Sequence, residues 1–441
     1  MTKKKQALLL IHGIGDQKPM DTLRGFVNAV WSTNTEVHHP HIPNSSLYWS
    51  KPDRLSGSFE LRRLTTPSNR SGIRTDFFEF YWAHLIQGTN TSHVISWAKM
   101  LLFRLPSTVP ERLHQLYWGL WVIILIFLFC FIRAIYLGTS TADQGLQAVV
   151  FAMLSVLILP ATGWAIREIL GDAARYLYPA PTNIHTRSQI RNAGVELIKS
   201  LHDRDYERII IVGHSLGSVI GYDILTHAWA QVHDQIHLEN KHKTCALKAL
   251  EEALQNNTSE NLENTEKLQR DYLKELSDNG CPWKISDFIT LGSPLAHAEI
   301  LLANNEEEFK LRKTNRELPT CPPEPETRTT RKGKSEHFSF EKKYKRDGNS
   351  EIKCEIPHHA ALFSPTVWKN IYFDSPWLLK GDFIAGKLAP VLGRAIQDFK
   401  VSTTQKNGFL SHTLYWSLGE NEEQEGKTPP HIQRLRQAID L

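Results

Sequence analysis

Cysteine is scarce in this chain, and the few that occur do not form pairs. There are 5 cysteines among 441 residues, and no two of them stand at the spacing of a zinc site. Small extracellular domains that depend on disulfides need a dense cysteine framework, so that class is excluded. We expect a protein of a reducing compartment with no metal site; the five residues are Cys130, Cys245, Cys281, Cys321 and Cys354.

A large excess of charge of one sign is also missing. The chain has 51 basic and 47 acidic residues, which gives a formal net charge of +4. Domains that bind nucleic acid usually carry a strongly basic surface. We therefore expect no nucleic-acid partner. The length allows two or three average domains, or one large domain with insertions.

The N-terminal segment lacks the pattern of a secretory signal. Three lysines precede the short apolar run Ala7–Ile11, but this run passes directly into His12-Gly13 without a small-residue cleavage site. A compact apolar run of this length is typical of a buried strand. We expect the first strand of the fold here.

What the chain does contain is the pattern of a strand, a sharp turn and a helix around Ser215. The segment Arg208–Val212, which is apolar after its first residue, ends in Gly-His-Ser-Leu-Gly, and the helix-forming segment Ser218–Ala230 follows. The turn must lift the Ser215 hydroxyl clear of the sheet, so the glycines at positions 213 and 217 meet the need for small neighbours. The pattern predicts a nucleophilic serine at the N-terminus of a helix, where N–H groups stabilise negative charge.

The segment Gly213-His214-Ser215-Leu216-Gly217 resembles the nucleophile elbow of the α/β-hydrolase superfamily, and more narrowly that of its serine esterases and lipases. The resemblance implies an α/β-hydrolase fold, with a mostly parallel central sheet and flanking helices. It also implies that the loop His12-Gly13-Ile14-Gly15 is the oxyanion loop, so that the N–H groups of Ile14 and Leu216 form the oxyanion hole. Such an enzyme needs no cofactor.

A turn near the last predicted strand resembles the part of these enzymes that supplies the catalytic acid. Gly381–Gly386 is similar to their Asp-Pro-Ile-Gly-Gly turn, although Phe383 stands where that turn usually has proline. The resemblance implies Asp382 as the acid. Asp374, directly after the predicted strand Trp368–Phe373, is the alternative.

The catalytic base is expected from a segment close to the C-terminus. Ser411–Trp416 is similar to the His-x-x-Tyr-Trp segment of these enzymes, which implies His412 as the base. His431, beside two prolines, is a poorer candidate. The resemblance therefore implies a triad of Ser215, Asp382 and His412, in the chain order Ser, acid, His that is typical of the superfamily.

Two long uncharged apolar runs lie at 115–132 and 144–166. Each is close to the ~20 residues that a helix needs to cross a bilayer. A buried helical hairpin is the alternative, but a chain with a mean hydropathy of −0.33 rarely concentrates its apolar residues in this way. We expect a transmembrane hairpin at 113–167 that binds the bilayer through residues 115–166.

Basic residues indicate the orientation of this hairpin. The connection between the two runs carries only Arg133. The positive-inside rule therefore places both outer ends, and the catalytic domain with them, on the cytoplasmic side. In a bacterium this location would be the inner membrane. The flanking basic residues are Lys99, Arg104, Arg112, Arg167, Arg175 and Arg187.

The hairpin is expected to interrupt a single hydrolase domain, whose two parts are residues 1–100 and 168–441. A polar, helix-prone stretch predicts a helical insertion at 226–285. A stretch dense in charge and turn formers predicts an exposed, flexible insertion at 304–357.

Together these patterns predict a membrane-anchored serine hydrolase that cleaves acyl esters, with lipids as the expected substrates. A thioesterase or protein deacylase would use the same triad. A hydrolase-like membrane scaffold without catalysis is the hypothesis from a different functional class.

Overall fold

The computed structural model describes residues 4–14, 18–85, 105–106, 109, 114–138, 147, 149–154, 176, 181–233, 236, 245–255, 262–330, 333–345, 351–375, 381–382, 384–402, 409–419 and 428–441. The chain divides into two compact units. The first consists of Met1–Gly13, Gln17–Trp82 and Ser188–Leu441, and the second of Ile14–Asp16 and Ala83–Arg187.

The described residues form twelve strands. They are β1 Lys5–Ile11, β2 Trp49–Pro52, β3 Arg62–Ser68, β4 Arg74–Phe80, β5 Arg208–His214, β6 Ile285–Leu291, β7 Glu326–Thr330, β8 Gly333–His337, β9 Ser339–Lys345, β10 Glu351–Pro357, β11 Val367–Phe373 and β12 Gln397–Val401. The helices are α1 Asp21–Val27, α2 His114–Gly138, α3 Pro181–His202, α4 Leu216–His233, α5 Cys245–Gln255, α6 Leu262–Asp278, α7 Ala298–Leu301, α8 Glu306–Thr314, α9 Ala389–Leu392 and α10 Pro430–Ile439.

An eight-stranded sheet forms the centre of the first unit, in the order β12-β11-β6-β5-β1-β4-β3-β2. The strands from β12 to β4 all pair in parallel, while β3 is antiparallel to both of its neighbours. The expected α/β architecture with a mostly parallel central sheet is confirmed. The hydrolase identity of this fold remains a proposal.

The middle parts of β1 and β5 are continuous apolar runs, which is typical of parallel strands that are covered on both faces of the sheet. Residues Leu8–Ile11 of β1 and Ile209–Val212 of β5 are at most 1% exposed. Since β1, β5 and β6 are parallel, their carboxyl ends meet at one edge of the sheet, where Ile11 pairs with Gly213 and His214 pairs with Leu291. Loops at this edge are where ligands bind in open α/β sheets.

The predicted helical insertion at 226–285 contains the end of α4, together with α5 and α6. The described part of the insertion expected to be exposed and flexible, 304–357, contains regular secondary structure. It forms α8 and two hairpins, β7–β8 and β9–β10. Phe309, Phe338 and Ile356 are at most 4% exposed, so apolar side chains spaced among the charges anchor this segment.

The second unit contains the apolar helix α2. Its segment Tyr117–Leu137 has a mean hydropathy of 2.7 and is the one helix of the described residues that is long and apolar enough to cross a membrane. Large apolar side chains on it are exposed, for example Phe129 at 58% and Ile132 at 62%. The second apolar run is described at 147 and 149–154, which are helical. The rest of the expected hairpin lies outside the described residues.

Candidate active site

Ser215 occupies a sharp turn between β5 and α4. Its φ of 52° lies in the left-handed region, where a residue with a Cβ is strained. A Cβ on Gly217 would lie 2.2 Å from the Ile11 carbonyl oxygen, and one on Gly213 would lie 2.6 Å from Ser218 Cα. The glycines predicted to flank the serine are therefore required by close backbone approaches.

The structure brings Ser215 and His412 into direct contact across 197 positions of the chain. His412 lies in a short 3-10 turn, Phe409–Thr413. Its Nε2 is 2.7 Å from the Ser215 Oγ, and its Nδ1 is 2.8 Å from the Asp382 Oδ2. The Nδ1–H donates to the carboxylate, which leaves Nε2 free to accept the serine proton. This is the geometry that activates a serine hydroxyl.

Asp382 is held in one orientation by four hydrogen bonds. Its Oδ1 accepts from the N–H groups of Ile384 and Ala385 at 3.0 and 3.3 Å, and its Oδ2 accepts from His412 and from the Tyr415 hydroxyl. Burial alone would raise the pKa of Asp382, but the charge of His412 and these hydrogen bonds outweigh burial and lower the pKa below its usual value. The carboxyl group is therefore ionised at neutral pH.

The alternative acid, Asp374, lies outside this cluster. Its side chain is 48% exposed and forms an ion pair of 2.5 Å with Lys400. A Cβ on Gly381, whose φ is 87°, would lie 1.9 Å from the Asp374 carbonyl oxygen. The chain thus folds back on the end of β11 just before the acid turn, which allows an acid eight positions beyond Asp374 to reach His412.

Two polar side chains that the sequence did not single out hold the acid turn against the sheet. Asn370 of β11 is fully buried and donates 2.9 Å to the Gly386 carbonyl. Asp398 of β12 accepts from the N–H groups of Leu388 and Ala389, each at 2.9 Å. No sequence motif marks these residues, because their role depends on which strands are neighbours.

His12 and Gly13 lie beside the nucleophile, as the resemblance implied. A Cβ on Gly13 would lie 2.9 Å from the Ser215 Cβ, so the loop passes directly over the serine. The His12 ring stacks on Trp82 with centroids 5.0 Å apart. Its Nδ1–H donates to the Gly13 carbonyl and its Nε2 accepts from the Trp82 backbone N–H, so the ring is neutral and fixed.

The two expected oxyanion donors, Leu216 and Ile14, belong to different compact units. Leu216 is the first residue of α4, and its N–H is at the positive end of that helix, immediately after Ser215. Ile14 groups with the second unit, so the role of its N–H stays a prediction.

The hydroxyl groups of Ser218 and Ser293 stabilise the strained turn at Ser215. The Ser218 Oγ donates 2.6 Å to the Ser215 carbonyl and is itself 2.6 Å from the Ser293 Oγ. The Ser293 Oγ also accepts from the Leu295 N–H at 3.2 Å. Ser293 thus caps the short 3-10 turn after β6 and also supports the turn at Ser215.

Among the described residues, no group of three or more His, Cys, Asp or Glu side chains is arranged to hold a metal ion. No protein-family model, curated protein or solved structure matches this chain. The functional conclusion therefore depends on the geometry of the site.

Proposed function

We propose that the protein is a membrane-anchored serine hydrolase with an α/β-hydrolase fold, which cleaves acyl esters of membrane lipids. The observation that carries this proposal is the continuous hydrogen-bonded chain from the Ser215 Oγ through His412 to the Asp382 carboxylate. These three side chains come from three separate loops at the carboxyl edge of the sheet. The left-handed backbone of Ser215 costs conformational free energy, and an ordinary solvated turn without a function would not need a strained serine there.

In this mechanism His412 removes the proton of Ser215 as the hydroxyl attacks the ester carbonyl. The Asp382 carboxylate keeps the imidazole in the required tautomer and stabilises the imidazolium that forms. His412 then gives its proton to the leaving alcohol. Water then attacks the acyl-enzyme while His412 removes its proton. His412 returns this proton to Ser215 as the fatty acid leaves.

The negative charge of the tetrahedral intermediate would lie against the N-terminus of α4. Backbone N–H groups in such a place are fixed before the reaction and need no reorganisation, and a single donor of this kind is typically worth 10²–10³-fold in kcat. We assign the two donors to Leu216 and Ile14. The close packing of Gly13 on Ser215 supports the proximity of that loop to the reacting carbonyl.

The apolar helix α2 supports the choice of lipids as substrates. A chain anchored in the bilayer meets its substrate at a high effective concentration. The second apolar run completes the proposed hairpin, with the catalytic domain on the cytoplasmic side.

The test is hydrolysis by the purified full-length chain. We expect release of the alcohol from a short-chain nitrophenyl ester, and release of fatty acid from phospholipid or diacylglycerol vesicles. Ser215→Ala should reduce both to background, since loss of a triad serine costs about 10⁶-fold in kcat. Ser277→Ala, at an exposed position of α6, is the matched control. A Ser215→Ala variant that keeps a tenth of the wild-type rate would contradict the proposal.

A further inference from the structure

His214 is the last residue of β5 and immediately precedes the nucleophile. Its Nε2 is 2.9 Å from the backbone carbonyl oxygen of His412. A carbonyl can only accept, so Nε2 carries a proton and donates it. His214, the residue before Ser215, therefore binds the main chain of His412, whose side chain contacts Ser215.

The His214 side chain is buried, with 6% of its surface exposed, and lies among aromatic rings. The ring lies edge-on to Trp416 with centroids 4.8 Å apart, and 5.2 Å from the His412 ring. Its Nδ1 is buried and has no hydrogen-bond partner among the described residues. Burial lowers the pKa of His214 to about 3, and the charge of His412 adds to this effect. His214 is therefore a neutral donor throughout the range in which His412 would act as a base.

Packing alone does not account for a histidine at this position. An apolar side chain would fill a pocket of aromatic rings without leaving a buried nitrogen unsatisfied. The imidazole brings one feature that an apolar group lacks, which is the N–H directed at His412. Its presence is explained if that hydrogen bond contributes to the site.

We propose that His214 is a positioning residue that holds the main chain of His412, so that the His412 imidazole lies between Ser215 and Asp382. This inference rests on the proposed function. Asp382 fixes the rotation of the imidazole through Nδ1, while His214 fixes the backbone from which the imidazole extends. Proton transfer needs both, because catalytic groups must be held within about 0.5 Å of the productive geometry.

Two amide side chains that differ by one methylene group separate this role from packing. In His214→Gln the amide nitrogen can occupy the place of Nε2 and still reach the His412 carbonyl. In His214→Asn it stands in the place of Nδ1 and cannot. His214→Phe fills the pocket without any donor, so it makes the same comparison if the asparagine variant unfolds.

The measurements are kcat and KM on a short soluble ester, with melting temperatures to establish that each variant is folded. We expect His214→Gln to stay within about threefold of wild type. We expect His214→Asn and His214→Phe to lose roughly 10- to 100-fold in kcat with unchanged KM, since a displacement of about 1 Å costs up to 10²-fold.

The two proposals fail in different ways. Equal kcat values in folded glutamine, asparagine and phenylalanine variants would overturn the positioning role, while Ser215 would still react with a fluorophosphonate. A wild-type chain that neither hydrolyses esters nor reacts with that reagent would instead overturn the proposed function and this inference with it.

Discussion

The hydroxyl of Tyr415 donates a hydrogen bond of 2.8 Å to the same oxygen of Asp382 that accepts the ring N–H of His412. The Tyr415 ring is 1% exposed, and its hydroxyl also accepts from the Phe373 N–H at 3.2 Å. A Cβ on Gly292 would lie 2.6 Å from this ring. The carboxylate is thus fixed by a tyrosine that is itself held between two strand ends, which makes Tyr415 a fourth member of the proposed catalytic network.

Removal of this hydroxyl should reduce turnover. Tyr415→Phe keeps the ring but deletes a hydrogen bond to a carboxylate, and such bonds are worth about 1.5–3 kcal/mol. We expect kcat on a soluble ester to fall by roughly 10-fold or more, with little change in KM. Tyr206→Phe is the matched control, because it deletes a buried tyrosine–carboxylate bond of 2.7 Å to Asp76. Equal kcat values in the two variants would contradict the role of Tyr415.

The choice between the two acids can be tested by two conservative changes. Asp382→Asn should lower kcat by about 10⁴-fold, because an amide favours the wrong tautomer of His412. Asp374→Asn removes only an exposed ion pair with Lys400, and such pairs contribute little. Its kcat should stay within about twofold of wild type. The reverse pattern of losses would assign the acid to Asp374.

Glu79, at the end of β4, predicts a measurable pH dependence of stability. Its side chain is 1% exposed, and its Oε2 accepts from the Met20 N–H at 2.9 Å. Burial raises the pKa of Glu79 from 4.5 to about 7. Between these two values the folded state keeps a proton that the unfolded state has lost, so the free energy of unfolding falls as the pH rises through this window. The loss amounts to about 3 kcal/mol above pH 7.

Glu79→Gln removes the titrating group and keeps a similar shape. The difference in melting temperature between wild type and this variant, measured at about pH 5 and about pH 8, isolates the contribution of Glu79 from that of other groups. We expect the variant to gain stability relative to wild type at the higher pH. Parallel pH dependences of the two proteins would show that Glu79 ionises without cost.

The membrane topology can be read from single-cysteine labelling in intact vesicles. Ser140→Cys lies in the connection between the two apolar runs, and a membrane-impermeant maleimide should label it only from the non-cytoplasmic side. The exposed native Cys245 belongs to the first compact unit and should react only from the cytoplasmic side. Labelling of both cysteines from one side, or extraction of the chain by carbonate, would contradict the transmembrane hairpin.

The sequence predicted the parts of the site that depend on local chemistry. The tight turn at Ser215 needs glycines at fixed positions, and continuous apolar runs mark the buried parallel strands β1 and β5. The positions of Asp382 and His412 came from their resemblance to short motifs. The structure places His412 against Ser215 and Asp382 against His412, contacts that no spacing along the chain could give.

What the sequence did not predict depends on tertiary contacts. The bonds from His214 to His412 and from Tyr415 to Asp382 join residues 198 and 33 positions apart. The sequence also did not predict the strands and the helix of the insertion at 304–357, because its charge density hides a few buried apolar residues, among them Phe309 and Phe338. Composition averages over a segment, whereas a single buried aromatic side chain contributes a large apolar area to the core.

The central claim is that Ser215 is an activated nucleophile, and the most direct test is covalent labelling followed by mass spectrometry of the intact chain. We expect a fluorophosphonate to add one adduct to the wild-type chain, located at Ser215 by peptide mapping. Ser277→Ala should keep that adduct, while Ser215→Ala and unfolded wild-type protein should lose it, because only the folded site makes the hydroxyl reactive. A wild-type chain that stays unmodified while folded, or an adduct that survives in Ser215→Ala, would contradict the account.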